Sequence, residues 1–503
     1  MARALLRAVA ALTLAASLPT ALYSQQSTVV QAGRASEASM SMLPMASSSA
    51  AAKMHAMIGL RALETNRSAE AAEHFEQAIA ADSTSAFAWL GAANASTSFA
   101  DYQAKLNRAA SLADHASRAE QLQIAVARRS LVNDLAGAEA AARELVAAEP
   151  KNPRSYLELA SVQQRMGHEV EARRTMERAL AIAPNFSAAH RQLAYSYMQA
   201  QPTDAAKARP YVEKLVALEP TEAMTFITQG SYFRALNQLP LARTAYSRAA
   251  ELDPTMALAL QQRGHVGAFL GDYDRARADY DAAIKLAKQN DPASFRVMRA
   301  LVSVHAGNPK QATEELDGLV GEIDGMNLPD PRGAKVGALD AEIQVAIETG
   351  DFATAARAIA QRAPLVREQV ADAKDETVKR IADASIAYQE GLLAARQGDS
   401  ATANGKADEL RKALAQTNDP QKDQGAHAIL GVLALEQKDF KAAASHLAQA
   451  NPNDVYLMYE RALALDGAGQ TAEAKALFRK VSQFNFNSPE VAFARREAAK
   501  RLK

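Results

Sequence analysis

A unit of about 34 residues recurs through the middle of this 503-residue chain. Four similar segments close successive units: ELVAAEP, ALAIAP, KLVALEP and AAELDP. Their final prolines are spaced 34, 36 and 34 residues apart, at Pro150, Pro184, Pro220 and Pro254. Alanines keep nearly the same step, at Ala138, Ala172, Ala208, Ala242 and Ala276. A period of this length with two amphipathic helices predicts an all-α fold of stacked hairpins, because one hairpin cannot cover both of its apolar faces alone.

Residues 153–184 show how one such unit is expected to be built. Apolar residues of alternating size form the packing stripes of its two helices: Tyr156, Leu159 and Ala160, then Ala172, Met176 and Ala179. Gly167 is expected to end the first helix at little steric cost, and Pro184 to stop the second. The sequence therefore predicts a compact helix–turn–helix in each period.

The repeat positions resemble those of the tetratricopeptide repeat family. One unit matches the family pattern almost completely, with Phe226, Gly230, Phe233, Ala242, Tyr246, Ala249 and Pro254. Further matches occur at Gly59, Ala71, Phe75 and Ala78, and near the end at Leu430, Gly431, Ala443, Leu447, Ala450, Pro452, Ala474 and Phe478. The resemblance covers about residues 51–485. It implies a right-handed α-solenoid of about 11–12 tetratricopeptide-like repeats.

Breaks in the pattern suggest a domain organisation. Residues 51–326 are predicted to form an N-terminal repeat array, and residues 335–487 a more irregular C-terminal array. Between them, NLPDPRG indicates a possible hinge at 327–334. Residues 488–503 are predicted to be a capping helix, because Ser488 suits the N-cap position and Pro489 the first turn. Terminal repeats of a solenoid need such a cover.

The first 24 residues have the character of a secretory signal. MARALLRAVAALTLAASLPTALYS combines a basic start with a short apolar run, and Ser24 is an acceptable cleavage position. Residues 25–50 are rich in Ser and Met and are predicted to be a flexible leader. We therefore expect an exported bacterial protein, periplasmic or extracellular. No stable membrane insertion is expected after cleavage, because no later segment reaches the roughly 18 apolar residues that a span requires.

Composition and motifs argue against several classes of function. The 57 basic and 57 acidic side chains balance, which disfavours general nucleic-acid binding, and the absence of cysteine removes thiolate metal sites and cysteine nucleophiles. Metalloprotease, nucleotide-binding and serine-hydrolase motifs are absent from the sequence. The sequence therefore predicts a protein that is not an enzyme, with no catalytic residues, no cofactor and no metal site. The histidines are scattered, and those predicted to be solvated are His55, His74, His115 and His446.

The segment GDYDRARADYDAAIKLA, residues 271–287, has four aspartates that suggest a metal site. A calcium loop needs a glycine after its first acidic residues, which this segment lacks. Gly271 is instead predicted as a turn, and Ala276, Tyr280 and Ala283 as a packing stripe. Two i,i+4 pairs are expected on the outer face, Arg275 with Asp279 and Arg277 with Asp281. The aspartates are thus interpreted as helix caps and surface charges.

Four first helices are the candidate binding surface: 153–166, 187–200, 223–236 and 257–270. The family resemblance implies that first helices line a concave groove that receives peptides. These four lack the Lys and Asn that the family uses to clamp a terminal carboxylate, whereas Arg, Gln and Tyr suit an extended segment. The residues predicted to contact a peptide are Arg191, Tyr195, Arg234, Gln261 and His265. Each of them is alternatively an ordinary solvated helix residue.

Two functions follow as hypotheses. The first is an exported scaffold or adaptor that binds a protein or peptide partner in this groove. The alternative is a periplasmic accessory or small-ligand-binding protein of an envelope process, with a cavity in the irregular region 300–425. The sequence makes no prediction about the partner's identity or the oligomeric state.

Overall fold

The computed structural model describes residues 43–96, 99–131, 134–198, 204–287, 292–328, 330–371, 376–415, 421–485 and 487–503. Within these ranges it contains 25 α-helices and no β-strand, which confirms the predicted all-α solenoid of helical hairpins. The predicted signal peptide, leader residues 25–42 and Pro329 lie outside the described residues. None of the described helices combines the length and apolar character needed to cross a bilayer.

The chain divides into two compact units, with the boundary between Gln262 and Arg263. The N-terminal unit, described here over 43–262, contains α1 (Ala50–Glu64), α2 (Ser68–Ala81), α3 (Ala86–Asn94), α4 (Phe99–Ser111), α5 (Arg118–Leu131), α6 (Leu135–Ala148), α7 (Pro153–Arg165), α8 (Glu169–Ile182), α9 (Ser187–Met198), α10 (Arg209–Leu218), α11 (Ala223–Ala235) and α12 (Leu239–Leu252). The boundary falls inside α13 (Ala257–Leu270).

The C-terminal unit, residues 263–503, continues with α14 (Tyr273–Ala287), α15 (Pro292–His305), α16 (Pro309–Glu322), α17 (Pro331–Thr349), α18 (Phe352–Gln369), α19 (Glu376–Arg396), α20 (Ser400–Leu414), α21 (Gln424–Glu436), α22 (Phe440–Gln449), α23 (Val455–Gly467), α24 (Thr471–Ser482) and α25 (Pro489–Lys500). Odd-numbered helices up to α23 are the first helices of hairpins, and even-numbered helices are the second. We call the surface formed by the first helices of one unit its first-helix face.

Left-handed residues form the turns inside the hairpins. Gly167 and Gly271 have φ values of 80° and 81°, a region that glycine enters without steric penalty. Both were predicted as turns, and this is confirmed. Lys438 occupies the corresponding position between α21 and α22 with φ 60°, which is unfavourable for a side chain that carries a Cβ.

Alanines of the second helices form the close contacts within hairpins. The periodic alanines are fully buried, at Ala71, Ala138, Ala172, Ala208, Ala242, Ala276, Ala312, Ala355, Ala403, Ala443 and Ala474. A large side chain of the second helix fills the space left by a glycine of the first: a Cβ added at Gly59 would lie 2.9 Å from the ring of Phe75. Burying such a ring contributes about 1.5–3 kcal/mol. The region that looked irregular in sequence contains longer helices, α17 to α19, which explains the wider alanine spacing.

The end of the predicted flexible leader is packed against the N-terminal unit. Leu43 is 3% exposed and lies with Leu122 and Leu145 in a small apolar cluster. The Ala46 amide donates to Glu120 Oε2 at 3.0 Å. The predicted leader boundary at residue 50 is therefore wrong for residues 43–49, because an apolar anchor and backbone hydrogen bonds hold them.

Two of the aspartates of 271–287, Asp279 and Asp281, pair with other helices, while Asp272 contacts Arg275 of its own segment at 3.4 Å. Asp279 contacts Arg263 of α13 at 2.5 Å, and Asp281 contacts Arg299 of α15 at 2.6 Å. Arg277 donates to Ser303 Oγ at 2.9 Å. The predicted i,i+4 pairs are wrong because neighbouring helices offer closer partners. The structural interpretation of the buried stripe Ala276, Tyr280 and Ala283 is confirmed.

Two predicted boundaries lie around α17 and α25. Asp330 caps α17 by accepting a hydrogen bond from the Gly333 amide at 2.9 Å, while flexing of the predicted hinge stays a prediction. Ser488 caps α25 as predicted, since its hydroxyl accepts from the Val491 amide at 3.3 Å. Helix α25 also contacts α15 and α17, so it covers more than the last hairpin.

Candidate functional site

The first-helix face of the N-terminal unit contains a network of buried ion pairs. Glu219, just after α10, lies 2.7 Å from Arg61 of α1 and 2.8 Å from Arg191 of α9. Arg191 also donates to the backbone carbonyl of Glu64 at 3.2 Å, and Arg154 of α7 pairs with the Glu64 carboxylate. These contacts join α1 to helices about a hundred residues later in the chain.

The network keeps Glu219 ionised. Burial raises the pKa of its carboxyl, but the charges of Arg191 and Arg61 outweigh burial, and the pKa is lowered overall. The Thr225 hydroxyl adds a hydrogen bond at 3.2 Å. A buried carboxylate held by two guanidinium groups is a structural junction, and its charge is already satisfied within the chain.

Arg191 is consequently not available as a free peptide contact. It is 6% exposed and its charge is paired with Glu219, so its assignment to an open groove is corrected. Tyr195 is half-buried beside the apolar cluster around Met198 and Val212. Arg234 is half-buried and donates to Gln262 Oε1 at 2.7 Å.

Gln261 and His265 are also buried, at 4% and 7% exposure. The His265 ring packs 5.7 Å from the ring of Tyr280. The same correction applies to both residues, because a buried side chain offers a partner little surface unless the helices move apart. A groove role for Tyr195 and Arg234 stays a prediction.

The first-helix face of the C-terminal unit is covered by the end of the chain itself. Helix α25 contacts the first helices α15, α17 and α23. Asn487, just before it, is 1% exposed and donates to the Tyr280 hydroxyl at 3.1 Å. Its amide oxygen lies 2.9 Å from His305 Nε2, which donates to it. The predicted cap therefore also closes contacts with residues about 200 positions earlier.

Apolar and cationic contacts extend this seat along α25. Ala492 and Phe493 pack into the cluster that contains Met298 and Leu301. The Arg495 guanidinium lies 5.0 Å from the centre of the Phe269 ring, a cation–π arrangement. The segment 487–500 is thus held by an amide, an apolar pair and a stacked guanidinium, and we call it the C-terminal segment.

Two titratable groups, one beneath the C-terminal segment and one within it, have pKa values shifted toward their neutral forms. Burial lowers the pKa of His305 to about 4, so the ring is neutral when it donates to Asn487. Burial, with the neighbouring Asp454, raises the pKa of Glu490 to about 7. Neutral groups are favoured there because the seat removes them from water without a full set of opposite charges.

A charged junction lies deeper in the same unit. Arg396 of α19 pairs with Glu460 at 2.9 Å and with Glu436 at 2.6 Å, and it also contacts the Tyr456 hydroxyl. Burial raises the pKa of Glu348, which lies 3.8 Å from the same guanidinium. The guanidinium of Arg396 therefore joins its own hairpin to three others.

A cavity of about 160 Å³ lies in the N-terminal unit. Its lining includes Tyr102, Gln123, Glu158 and Arg165. Burial raises the pKa of the Glu158 carboxyl. A ligand cavity was predicted in 300–425, whereas this cavity is lined by residues between 90 and 165.

Four histidines form two facing pairs that were not predicted from the sequence. His55 and His74 face each other with their Nδ1 atoms 3.1 Å apart, and His427 and His446 do the same at 3.0 Å. Three of these four were predicted to be solvated, but all are half-buried, while His115 is exposed as predicted. The signal available in the sequence was the shared spacing of 19 residues, which joins the two helices of a hairpin.

Comparisons with known proteins agree with this architecture. Family models described as tetratricopeptide repeat match residues 257–290 and 434–496. Protein O-mannosyl-transferase TMTC1 of Mus musculus is 30% identical over 145 residues, which are 28% of this chain and only 15% of the mouse protein. The transferase activity in its name belongs to the mouse protein.

Solved structures give weaker likenesses. The APC/C hetero-tetramer Cut9-Hcn1 has 17% identity and a TM-score of 0.38, over 85% of this chain and 76% of that one. A tetratricopeptide repeat protein from Parabacteroides merdae has 12% identity and a TM-score of 0.33, over 57% of this chain and 99% of that one. These scores carry no functional inference. The two family-model matches, set on stacked helical hairpins, show that this chain contains tetratricopeptide repeats.

Proposed function

We propose that this chain is an exported scaffold whose C-terminal unit binds a helical segment of a protein partner on its first-helix face. Tetratricopeptide repeats generally mediate protein–protein interaction and scaffolding, and their fold is typically non-catalytic. The observation that carries the proposal is the C-terminal segment, a helix of the chain already seated on that face. Lack of catalysis stays a prediction.

The seat has the features of a helix-in-groove site. It provides an amide-binding corner at Tyr280 and His305, an apolar wall around Met298 and an aromatic face at Phe269. A partner helix with an amide, two small or aromatic apolar residues and an arginine at corresponding positions would satisfy the same groups. The helices that form the seat are already stacked, so little ordering entropy would oppose binding.

The C-terminal segment would act as an internal competitor. It is tethered to the unit, so its effective concentration at the seat is high and a partner must form additional contacts to displace it. The half-buried Tyr195 and Arg234 of the N-terminal unit remain candidates for separate peptide contacts. This arrangement would make partner binding selective for segments that match the chain's own helix.

The seat can be tested with a labelled peptide of residues 485–503. In full-length protein carrying Asn487→Ala and Arg495→Ala, the internal segment should be loosened, and fluorescence anisotropy should show tighter peptide binding than in the wild type. A peptide with the same two substitutions is the matched control and should bind weakly to both proteins. Absence of peptide binding to the variant, with helicity retained, would refute the seat.

The scaffold role is tested in a cell-envelope extract. The double variant should retain more of the partner than the wild type does, and the 485–503 peptide should release it. If the same proteins are retained by both chains and the peptide releases none, the proposed seat is not the partner site. Export is tested by N-terminal sequencing of the mature protein, which we expect to begin after Ser24.

The cavity at 90–165 supports a second candidate, a small-ligand-binding accessory of an envelope process. Its polar lining, with Glu158 and Arg165 near Tyr102, suits a small polar ligand better than an apolar one. A thermal-shift screen with polar metabolites should find a ligand whose stabilisation disappears in Glu158→Gln. A ligand that stabilises both proteins equally would exclude this cavity as its site.

A further inference from the structure

Each of two hairpins brings two histidine rings together, stacked in the first pair and tilted in the second. His55 of α1 faces His74 of α2, and His427 of α21 faces His446 of α22. The Nδ1 atoms are 3.1 and 3.0 Å apart, and the ring centres 5.4 and 5.3 Å apart. One pair lies in the N-terminal unit and the other in the C-terminal unit, so the same local geometry is formed twice.

The repeat register explains why the two pairs match. In each hairpin the first histidine lies four residues before the glycine of the first helix, Gly59 or Gly431. The second lies three residues after the buried alanine of the second helix, Ala71 or Ala443. In both hairpins the glycine packs against the large residue that follows the second histidine, Phe75 or Leu447, and this close approach of the helices brings the two histidines together.

Facing imidazoles suit a metal ion. A neutral imidazole has one donor and one acceptor nitrogen, so the ion-free pair can share one N–H···N hydrogen bond. A metal ion accepts lone pairs from both rings and replaces that shared proton. With metal–nitrogen distances of about 2.0–2.1 Å and angles of about 90–109°, two ligand nitrogens lie roughly 2.9–3.4 Å apart. Both observed separations fall within that range.

The rings are accessible from solvent, because all four are half-buried. In the C-terminal unit Arg411 lies close enough to His427 and His446 to act on both electrostatically. Its positive charge repels a cation, so we expect the pair in the N-terminal unit to bind the ion more tightly.

We propose that His55–His74 and His427–His446 each form a two-histidine site for a late divalent transition-metal ion, with water completing the coordination. Imidazole ligands favour Cu²⁺ over Zn²⁺ and both over Mg²⁺ or Ca²⁺. A bound ion cross-links the first helix of a hairpin to the second. The group of Glu139, His168 and Glu171, where three ligand atoms also lie close together in the described part of the chain, is largely exposed and has a different composition.

One hairpin of the chain has a tyrosine in place of the second histidine. In α9 and α10 the corresponding positions hold His190 and Tyr211, whose rings lie 6.0 Å apart. Tyrosine is accepted there by the same packing, so His74→Tyr and His446→Tyr are conservative changes that remove one nitrogen ligand each. They separate loss of metal binding from loss of folding.

The test is titration of the full-length protein with Zn²⁺ alone by calorimetry and with Cu²⁺ alone by electron paramagnetic resonance. We expect the Zn²⁺ stoichiometry to fall by one in each single variant and by two in the double variant, with unchanged helicity. The Cu²⁺ spectrum should lose a two-imidazole signal in the same steps. Equal stoichiometry in wild type and double variant, or a Cu²⁺ spectrum without two nitrogen ligands, would overturn the proposal.

Discussion

In the N-terminal unit the first-helix face is tied together by its own charged side chains, whereas in the C-terminal unit the end of the chain lies across it. Arg191 and Glu219 represent the first arrangement, and Asn487 and Arg495 the second. Both units are built from the same kind of hairpin. The repeat therefore determines the stacking, and a few side chains decide what fills the space that the stack encloses.

The two arrangements differ in electrostatics. Arginines lower the pKa of Glu219, so the N-terminal network relies on a charged carboxylate. Burial raises the pKa of Glu490 and lowers that of His305, so the C-terminal seat relies on neutral groups. A removable segment is compatible with neutral contacts, since displacing it leaves no unpaired buried charge.

The largest expected effect is that of Arg191→Ala. Removing this guanidinium leaves Glu219 buried with one partner fewer, which should lower the free energy of unfolding by about 3–5 kcal/mol. Denaturant unfolding followed by circular dichroism measures it. Arg118→Ala breaks the exposed pair with Glu144 and should cost under about 1 kcal/mol. Equal effects for the two variants would show that the network is not the structural junction of this unit.

Asn487→Ala should have the next largest effect. The substitution leaves the Tyr280 hydroxyl and His305 Nε2 without their amide partner. The free energy of unfolding should therefore fall by about 1–3 kcal/mol. We expect faster hydrogen exchange in α25 and in α15, with α1 to α12 unchanged. Gln483→Ala, at an exposed position, is the control and should leave exchange unaltered. Uniform acceleration throughout the chain would contradict a local seat.

Glu490→Gln should change the pH dependence of the C-terminal unit. The folded chain holds a proton on Glu490 up to about pH 7, whereas the unfolded chain releases it near 4.5. Wild-type stability from this group is therefore full below pH 4.5 and is lost as the pH rises through 7. Across this pH range, the free energy of unfolding of the variant should rise by about 1–2 kcal/mol relative to that of the wild type. This is less than the pKa difference alone would give, because Glu490 is partly exposed and solvent screens it.

Glu219→Gln gives the opposite sign in the N-terminal unit. Its lowered pKa means that the stabilisation is present above pH 4.5 and is lost as the pH falls through the lower folded value. The free energy of unfolding of this variant should be lower than that of the wild type above pH 4.5, and the difference should become smaller in acid. Denaturation curves from about pH 2.5 to 8 measure both variants, because the Glu219 effect lies below pH 4.5. Parallel pH profiles for the two would remove the electrostatic contrast between the units.

Lys438→Gly is expected to have the smallest effect. The N-terminal unit uses asparagine or glycine at the left-handed turn positions Asn66, Gly167 and Asn237, while the C-terminal unit has Lys438 at one of them. Glycine removes the strain of the Cβ, so unfolding should require about 0.5–1 kcal/mol more. Gly398→Ala, at the equivalent turn between α19 and α20, should destabilise by a similar amount. If Lys438→Gly lowered the free energy of unfolding, the contacts of the Lys438 side chain would stabilise the fold by more than its left-handed backbone destabilises it.

Local features were predicted well from the sequence. The helix predicted over 257–270 is α13 with the same bounds, and the one over 153–166 ends one residue earlier. The turn at Gly271 and the cap at Ser488 are also as predicted. Helix periodicity, turns and caps depend on residues within a few positions of each other, which a single sequence displays.

The candidate site was predicted less well. Arg191 looked like a free groove residue because the carboxylate that pairs with it, Glu219, lies 28 positions away, just after the second helix of the hairpin. His55 and His74 looked solvated because each has polar neighbours on its own helix. In both cases the decisive partner belongs to a different helix, which the period of a single helix does not reveal.

By itself, the sequence determined that this chain folds as stacked helical hairpins, because a 34-residue period with small residues in register leaves no other way to bury both apolar faces. Only the tertiary structure decided that α1 reaches Arg191, that α25 returns to Tyr280, and that two histidine pairs meet. Each hairpin adds a small rotation to the stack, and the sum over several hairpins brings distant residues together. That sum depends on packing angles between helices, which no local pattern specifies.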